Sequence, residues 1–203
     1  MIRIPGINRL YTCLLRLFMR FDFIGKNVFI HPACDIRNRA APYIHLGNGV
    51  KLSKDVWLNI PYEAAPPVKS RPIINIGDNT VIGRRCTISG INRIEIGPNN
   101  MFAPGVFVTD HNHEFSDSDI PICNQGTTTG GTIIIEEGCW FGHGSAIIAG
   151  DGQELRIGRN SVIGANAVVT KSCPPFAVLV GNLSRNIGLV SRSSRKGSVP
   201  SAD

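Results

Sequence analysis

The feature that most limits what this chain can fold into is a count of six. From about residue 28, aliphatic or aromatic side chains recur at every sixth position: Ile30 and Ile36, then Leu46, Leu52 and Leu58, then Ile76, Ile82 and Ile88. Ile96, Phe102 and Val108 follow, then Ile135, Phe141 and Ile147, and last Ile157, Ile163 and Val169. Neither the helical period nor simple strand alternation produces this spacing, whereas a short strand followed by a corner does. The residue after the apolar one is repeatedly glycine (Gly47, Gly77, Gly83, Gly97, Gly142, Gly158, Gly164). The residue two before it is often small, as at Thr80, Cys86, Cys139, Ser145, Ser161 and Ala167. Small and glycine positions let the chain turn without a steric penalty. Three hexads then close one triangular coil, and coils stack at roughly 4.8 Å in the hydrogen-bonding direction. The expected fold is all-β, a parallel β-helix.

The places where the count fails divide the chain. Residues 8–24 have helical spacing instead, with Leu10, Leu14, Leu17, Phe18 and Phe21 on one side and Arg9, Arg16 and Arg20 on the other. The run is too short and too rich in arginine to span a bilayer, and no cleavage site follows it. It reads either as a cap on the open end of the coils or as an interfacial helix on an anionic inner membrane. We therefore assign 1–27 to this helix, 28–172 to the β-helix, 173–190 to a C-terminal strap and 191–203 to a disordered basic tail. Pro61 to Pro72 breaks the pattern, but Leu58 and Ile76 keep the phase, which suggests one irregular coil. Residues 112–131 are a protruding loop, polar and unable to bury themselves, expected to lie against another subunit. Pro174-Pro175 takes the chain out of the coils, because proline cannot continue a ladder.

With 203 residues, 42% of them hydrophobic, the chain has room for one core and its appendages. Its six cysteines show no C-x-x-C spacing, and Cys86 and Cys139 occupy the small slot of the repeat. Buried free thiols in a reducing cytoplasm are expected, rather than disulfides or a zinc ribbon. The net charge of +6 owes part of its excess to Arg192, Arg195 and Lys196 in the tail. Basic and aromatic residues are not interleaved as nucleic-acid binding requires, so a polyanionic small molecule or an acidic membrane surface suits the charge better.

Chemistry concentrates where the repeat breaks, in Val108-Thr109-Asp110-His111-Asn112-His113. In a continuing strand His111 and His113 point to one side and Asp110 and Asn112 to the other. On that alternation Asp110 cannot orient the His111 ring, and a carboxylate partner must come from elsewhere. Imidazole is the natural group to remove a proton near neutral pH. No serine or cysteine has an evident activating partner, which favours direct transfer over a covalent intermediate.

Five ordered elements carry a resemblance: Val108-Thr109-Asp110-His111, Trp140-Phe141-Gly142, Val169-Thr170-Lys171, Pro174-Pro175 and Gly181-Asn182-Leu183-Ser184-Arg185. Over residues 28–190 the chain resembles the hexapeptide-repeat acyltransferases, which are left-handed parallel β-helices, and in particular the galactoside and maltose acetyltransferases and the polysaccharide O-acetyltransferases. The resemblance implies an acetyl-CoA-dependent O-acetyltransferase acting on a sugar hydroxyl, with no metal. His111 would be the general base, and Asp110 and His113 would face the acceptor. Trp140, Gly142, His143, Thr170, Lys171 and Arg185 would hold CoA, the His143 amide meeting the thioester oxygen. A cytoplasmic homotrimer with sites between subunits is implied, with membrane contact through the N-terminal helix. The chain departs from that pattern in three places: Leu183 replaces the strap proline, extra residues lie between Ile147 and Ile157, and the acceptor region reads Gly83-Arg84-Arg85 and Gly90-Ile91-Asn92. The last argues against a simple galactoside.

Amino-sugar N-acetylation needs the same base and the same thioester. Serine acetyltransferase needs a long helical domain for which residues 1–27 have no room. In another class stand a metalloenzyme like the gamma carbonic anhydrases, using His111, His113 and His143 as ligands, and a non-catalytic scaffold.

Overall fold

In a computed structural model, which describes residues 5–61 and 72–190, the hexads become short strands stacked coil upon coil around a triangular prism. The first face runs from Phe23–Ile24 through Ile44–Leu46, Ile74–Ile76, Arg93–Ile96 and Thr132–Ile135 to Glu154–Ile157. The second runs from Phe29–Ile30 to Val162–Ile163 and is extended by Ala177–Val180, and the third runs from Asp35–Ile36 to Val168–Val169. Pairing along all three faces is parallel; only Arg185–Leu189, which returns beside Ala177–Val180, is antiparallel. The coils therefore begin at Phe23, slightly before residue 28.

The register explains the spacing. Ile82, Phe102, Phe141 and Ile163 lie one above another, all buried, with the Phe102 and Phe141 rings stacked 4.3 Å apart. Each face contributes such a column, so the core is built from like residues in contact with like. The glycines after the aliphatics act differently from the expectation. None has a positive φ. A side chain there would strike the next coil, as a Cβ on Gly142 would lie 2.5 Å from the Ala165 nitrogen. The turning itself falls to a later corner residue in the left-handed conformation, mostly Asn or Gly, such as Asn79, Asn99, Gly105, Gly144 and Asn166.

Helix α1 (Pro5–Phe18) closes the N-terminal end. Tyr11 and Leu15 pack on the core, Met19 is buried just beyond, and the Thr12 hydroxyl accepts the Ile30 amide. This is not the stripe picked out by spacing: Leu14, Leu17 and Phe18 face outward, and Arg16 folds back to donate to the Gly25 carbonyl. The side chains of residues 5–10, including Arg9 and Leu10, are outside the described set, as are residues 1–4 and 191–203, where the tail was expected. No helix among the described residues is long and apolar enough to cross a membrane.

Two further expectations change. Ile74 and Ile76 stack directly on Ile44 and Leu46, so no coil intervenes between them. Residues 62–71, with Pro66-Pro67 among them, lie outside the described residues. Loop 112–131 does hold some structure of its own, a bridge between His113 and Thr127 and a turn at Ile122–Asn124, while leaving Phe115, Ile120 and Ile122 exposed.

All six cysteines are free, and burial pushes the Cys86 and Cys139 thiols up to about 11. At pH 8 iodoacetamide should label exposed Cys13 and Cys123 in the native protein and spare Cys86 and Cys139 until denaturant is added. Native labelling of the buried pair at the rate of Cys13, read by peptide mass, would contradict this packing.

Candidate active site

Two edges of the prism carry the residues singled out above. The strand Phe107–Thr109 is the last of its coil and lies on the third face, and the chain then turns through Asp110 toward the first; this is the trailing edge. Because the strand stops at Thr109, alternation no longer governs Asp110 and His111. Asp110 turns inward and is fully buried. Its Oδ1 accepts the Ile91 amide at 2.9 Å, and Oδ2 accepts the Asn92 and Arg93 amides, each at 2.9 Å. Its Oδ1 also lies 3.0 Å from His111 Nδ1.

This corrects two expectations. Asp110 does hold the neighbouring ring, and its carboxylate is buried rather than open to an acceptor. With backbone donors on both oxygens the carboxylate acts as acceptor only, so Nδ1 of His111 carries the hydrogen and Nε2 keeps its lone pair. The Thr109 hydroxyl adds a contact at 3.3 Å to Nδ1 and donates to the His111 carbonyl. The His111 side chain is 12% exposed, enough for its edge to meet solvent or substrate.

His113 does not accompany it. It lies on the loop, exposed, its Nδ1 3.3 Å from the Gly126 carbonyl, where it ties the two arms of the loop together. The extra residues after Ile147 also gather at the trailing edge. Asp151 Oδ1 accepts the Thr129 hydroxyl at 2.7 Å, and Gln153 Nε2 donates to the Thr170 carbonyl at 2.8 Å. Since Val169 pairs with Ile147, and Ile147 with Val108, Thr170 and Lys171 lie two rungs from Thr109 and Asp110 on this same edge. That separation is about 10 Å.

The second edge, where the second face turns into the third, is the leading edge. The Arg85 amide donates to the Lys54 carbonyl, Gly105 to Arg84, Gly144 to Pro104 and Asn166 to His143. Lys54, Arg84, Pro104 and His143 therefore form one vertical column. Trp140 stands on the adjoining second face, 42% exposed, beside a shallow hollow of about 280 Å³ that Val162 and Phe176 help to line. Gly142 is buried under the next coil, and the His143 amide has no hydrogen-bond acceptor among the described residues. The strap returns here: the Ser184 amide donates to the Val168 carbonyl, and Arg185, exposed, pairs with Val180 at the end of the second face. Neither Lys171 nor Arg185 makes an ion pair among the described residues.

The residues thus fall into two groups on one chain, His111 with Thr170 and Lys171 on the trailing edge, Trp140, Gly142, His143 and Arg185 on or beside the leading edge. From His143 to Ile148, which is level with Thr109, the chain takes five residues, roughly 15 Å of extended strand. His111, His113 and His143 do not converge, and among the described residues no group of three or more His, Cys, Asp or Glu is placed to hold a metal ion. Sequence reasoning missed the amides of Ile91–Arg93 and the Gln153 anchor. An Asp-His pair at the point where a hexad fails was the available signal for the first; nothing local marked the second.

A family model described as the hexapeptide repeat of succinyl-transferase matches residues 73–109 and 132–171. A Schizosaccharomyces pombe protein named as an acetyltransferase is 32% identical over 179 residues, covering 85% of this chain and 78% of the relative. An Escherichia coli protein named as a lipopolysaccharide biosynthesis O-acetyltransferase is 31% identical over 118 residues, 55% of this chain and 58% of that one. Among solved structures, an N-acyltransferase from Bacillus cereus in complex with dTDP and coenzyme A matches with a TM-score of 0.70 at 22% identity, covering 88% of this chain and 89% of that one, and shares the fold. The left-handed parallel β-helix is that fold.

Proposed function

The chain belongs to the hexapeptide-repeat acyltransferases, and on that footing we propose that it transfers the acetyl group of acetyl-CoA to a hydroxyl of a sugar in the cytoplasm. The sugar would be one unit of a surface polysaccharide or its lipid-linked precursor, as the name of the Escherichia coli relative suggests. The observation that carries the reading is His111 held by a buried carboxylate at Nδ1, which leaves Nε2 as a base.

In this reading Nε2 takes the proton of the acceptor hydroxyl as its oxygen attacks the thioester carbonyl. The carbonyl oxygen becomes an oxyanion and accepts the His143 amide, which has no other acceptor among the described residues. The C–S bond then breaks, and the imidazolium returns its proton to the CoA thiolate. Asp110, accepting at Nδ1, stabilises the charged ring. Trp140 offers an exposed face to the pantetheine arm, and Lys171 and Arg185 supply cations for the phosphates.

Base and amide lie on different edges of one chain, so a complete site requires the trailing edge of one copy against the leading edge of the next. A ring of three copies satisfies this through one repeated heterologous contact. Exposed Met101, Phe107 and Trp140 beside the leading edge give such a contact apolar area. The outward Leu14, Leu17 and Phe18 of α1 are the surface that would touch a membrane.

The test is release of free thiol from acetyl-CoA with a panel of sugars and polysaccharide fragments. The decisive variant is His143→Pro. Proline already fills this corner position one coil below, at Pro104, so the substitution removes the N–H and keeps the turn. We expect kcat to fall roughly 10²- to 10³-fold. Co-refolding His143→Pro with His111→Ala should restore activity at up to roughly a quarter of the sites if each site joins two copies. No restoration would place both groups in one chain and sink the shared site. Full activity in His143→Pro alone would remove the amide from the mechanism.

A further inference from the structure

The leading edge continues below His143, and what lies there is basic. Arg84 is two rungs beneath His143 in the same column, and Arg85 is its neighbour at the turn. Both are exposed, and neither side chain makes a hydrogen bond or ion pair among the described residues. Lys54 continues the column one rung lower, paired at 3.8 Å with Asp55, the one acid at this corner.

Arg85 is also in the wrong place for packing. Its φ is 57°, at the corner position that other coils give to Asp55, Gly105, Gly144 and Asn166. Of the eight non-glycine residues with positive φ among those described, six are Asn or Asp, and Arg85 and Phe176 are the exceptions. A long side chain gains nothing locally in a left-handed turn, whereas Gly or Asn would relieve it. Strain of this kind persists where a side chain is needed for another purpose. Arg84 and Arg85 are thus adjacent and exposed at one corner, two forked donors of the kind that suits a phosphate. The His143 ring hangs toward them, its Cε1 3.5 Å from where a Cβ on Gly105 would sit.

We propose that Arg84 and Arg85 bind the diphosphate of the acceptor, so that the sugar is presented as a phosphate-linked glycosyl group rather than a free sugar. The inference rests on the acetyl-transfer reading above. There the CoA phosphates lie toward Lys171 and Arg185, on later coils, which leaves the earlier coils to the acceptor. The two rungs from His143 to Arg84, about 10 Å, match a pyranose ring with a phosphate at its anomeric carbon. The acceptor hydroxyl then reaches the reacting centre while its diphosphate remains on the arginines. The same chemistry is offered by a nucleoside diphosphate sugar and by a polyprenyl diphosphate sugar.

Calorimetric titration of the CoA-saturated protein separates the cases, using UDP-glucose, a short-chain polyprenyl diphosphate glucose in detergent micelles, and methyl glucoside. The native protein should bind at least one diphosphate probe more tightly than methyl glucoside, and which one identifies the source. The double variant Arg84→Gln, Arg85→Gly should raise the Kd of that probe at least roughly 10-fold with the Kd for CoA unchanged. Arg85→Gly alone, which restores the residue used at Gly105 and Gly144, should melt no lower than the parent. Equal probe binding by the double variant, or native protein that binds CoA but neither diphosphate, would overturn the inference and leave acetyl transfer standing. Dissociation of the double variant in sedimentation would also overturn it, because the arginines would then be bridging copies. Native protein that binds no CoA would remove the underlying reading and the inference together.

Discussion

His111→Ala should lower kcat roughly 10²- to 10⁴-fold while the Kd for CoA stays at the parent value. A sugar hydroxyl is too weak an acid to attack a thioester unaided, so its proton must leave as the C–O bond forms. In this chain Asp110 lies against Nδ1, which leaves Nε2 to take that proton in the proposed mechanism. The ring stands at a corner outside the hydrophobic core cluster, so the variant should fold as the parent does. Added imidazole should recover part of the lost rate by entering the space vacated. The measurement is thiol release beside a CoA titration for both proteins. A variant as active as its parent would show that another group takes the proton.

Asp110→Ala should be the most damaging single substitution at the site, for reasons of stability before chemistry. Its carboxylate is the hydrogen-bond acceptor for three successive amides, Ile91, Asn92 and Arg93, at the corner one coil below. Alanine would take this acceptor from one buried and two part-buried amides, at a cost of about 3–5 kcal/mol. For a chain of this size that lowers Tm by roughly 10 °C. Activity should fall as well, since the His111 ring loses the contact that sets its tautomer. Asp110→Asn keeps the shape but must aim an NH2 group either at the amides or at Nδ1, so it should be destabilised less and still turn over poorly. Thermal unfolding of both variants beside thiol release checks this. If Asp110→Ala melts with the parent, the carboxylate does not hold this corner together.

How these two residues cooperate shows where reading from the chain alone succeeds and where it stops. The hexads predicted the triangular coils because each position depends only on its neighbours, with an aliphatic inward and a small residue at the corner, although the glycines answer the pressure of the next coil rather than the turn. Every turn repeats the same local problem, so periodicity carries the answer. The motif around His111 was visible for the same reason, as the point where the period fails. The orientation of Asp110 was not, because the alternation rule assumes a strand, and the strand ends at Thr109. The Pro66-Pro67 stretch misled likewise. Counting kept the phase, yet only the pairing of Ile74–Ile76 on Ile44–Leu46 reveals that no coil was added.

The sequence by itself determined the architecture and the point, at His111, where the repeat fails. It could do so because steric fit in a stacked strand is set within six residues. Tertiary structure alone decided which of those residues share an edge, that Asp110 faces inward to the Ile91–Arg93 amides, and that Arg84 stands in line beneath His143. Those relations join residues on different coils, up to some 59 positions apart in the case of Arg84 and His143. They follow from how many residues each loop inserts between rungs, and stacking is what converts that number into position.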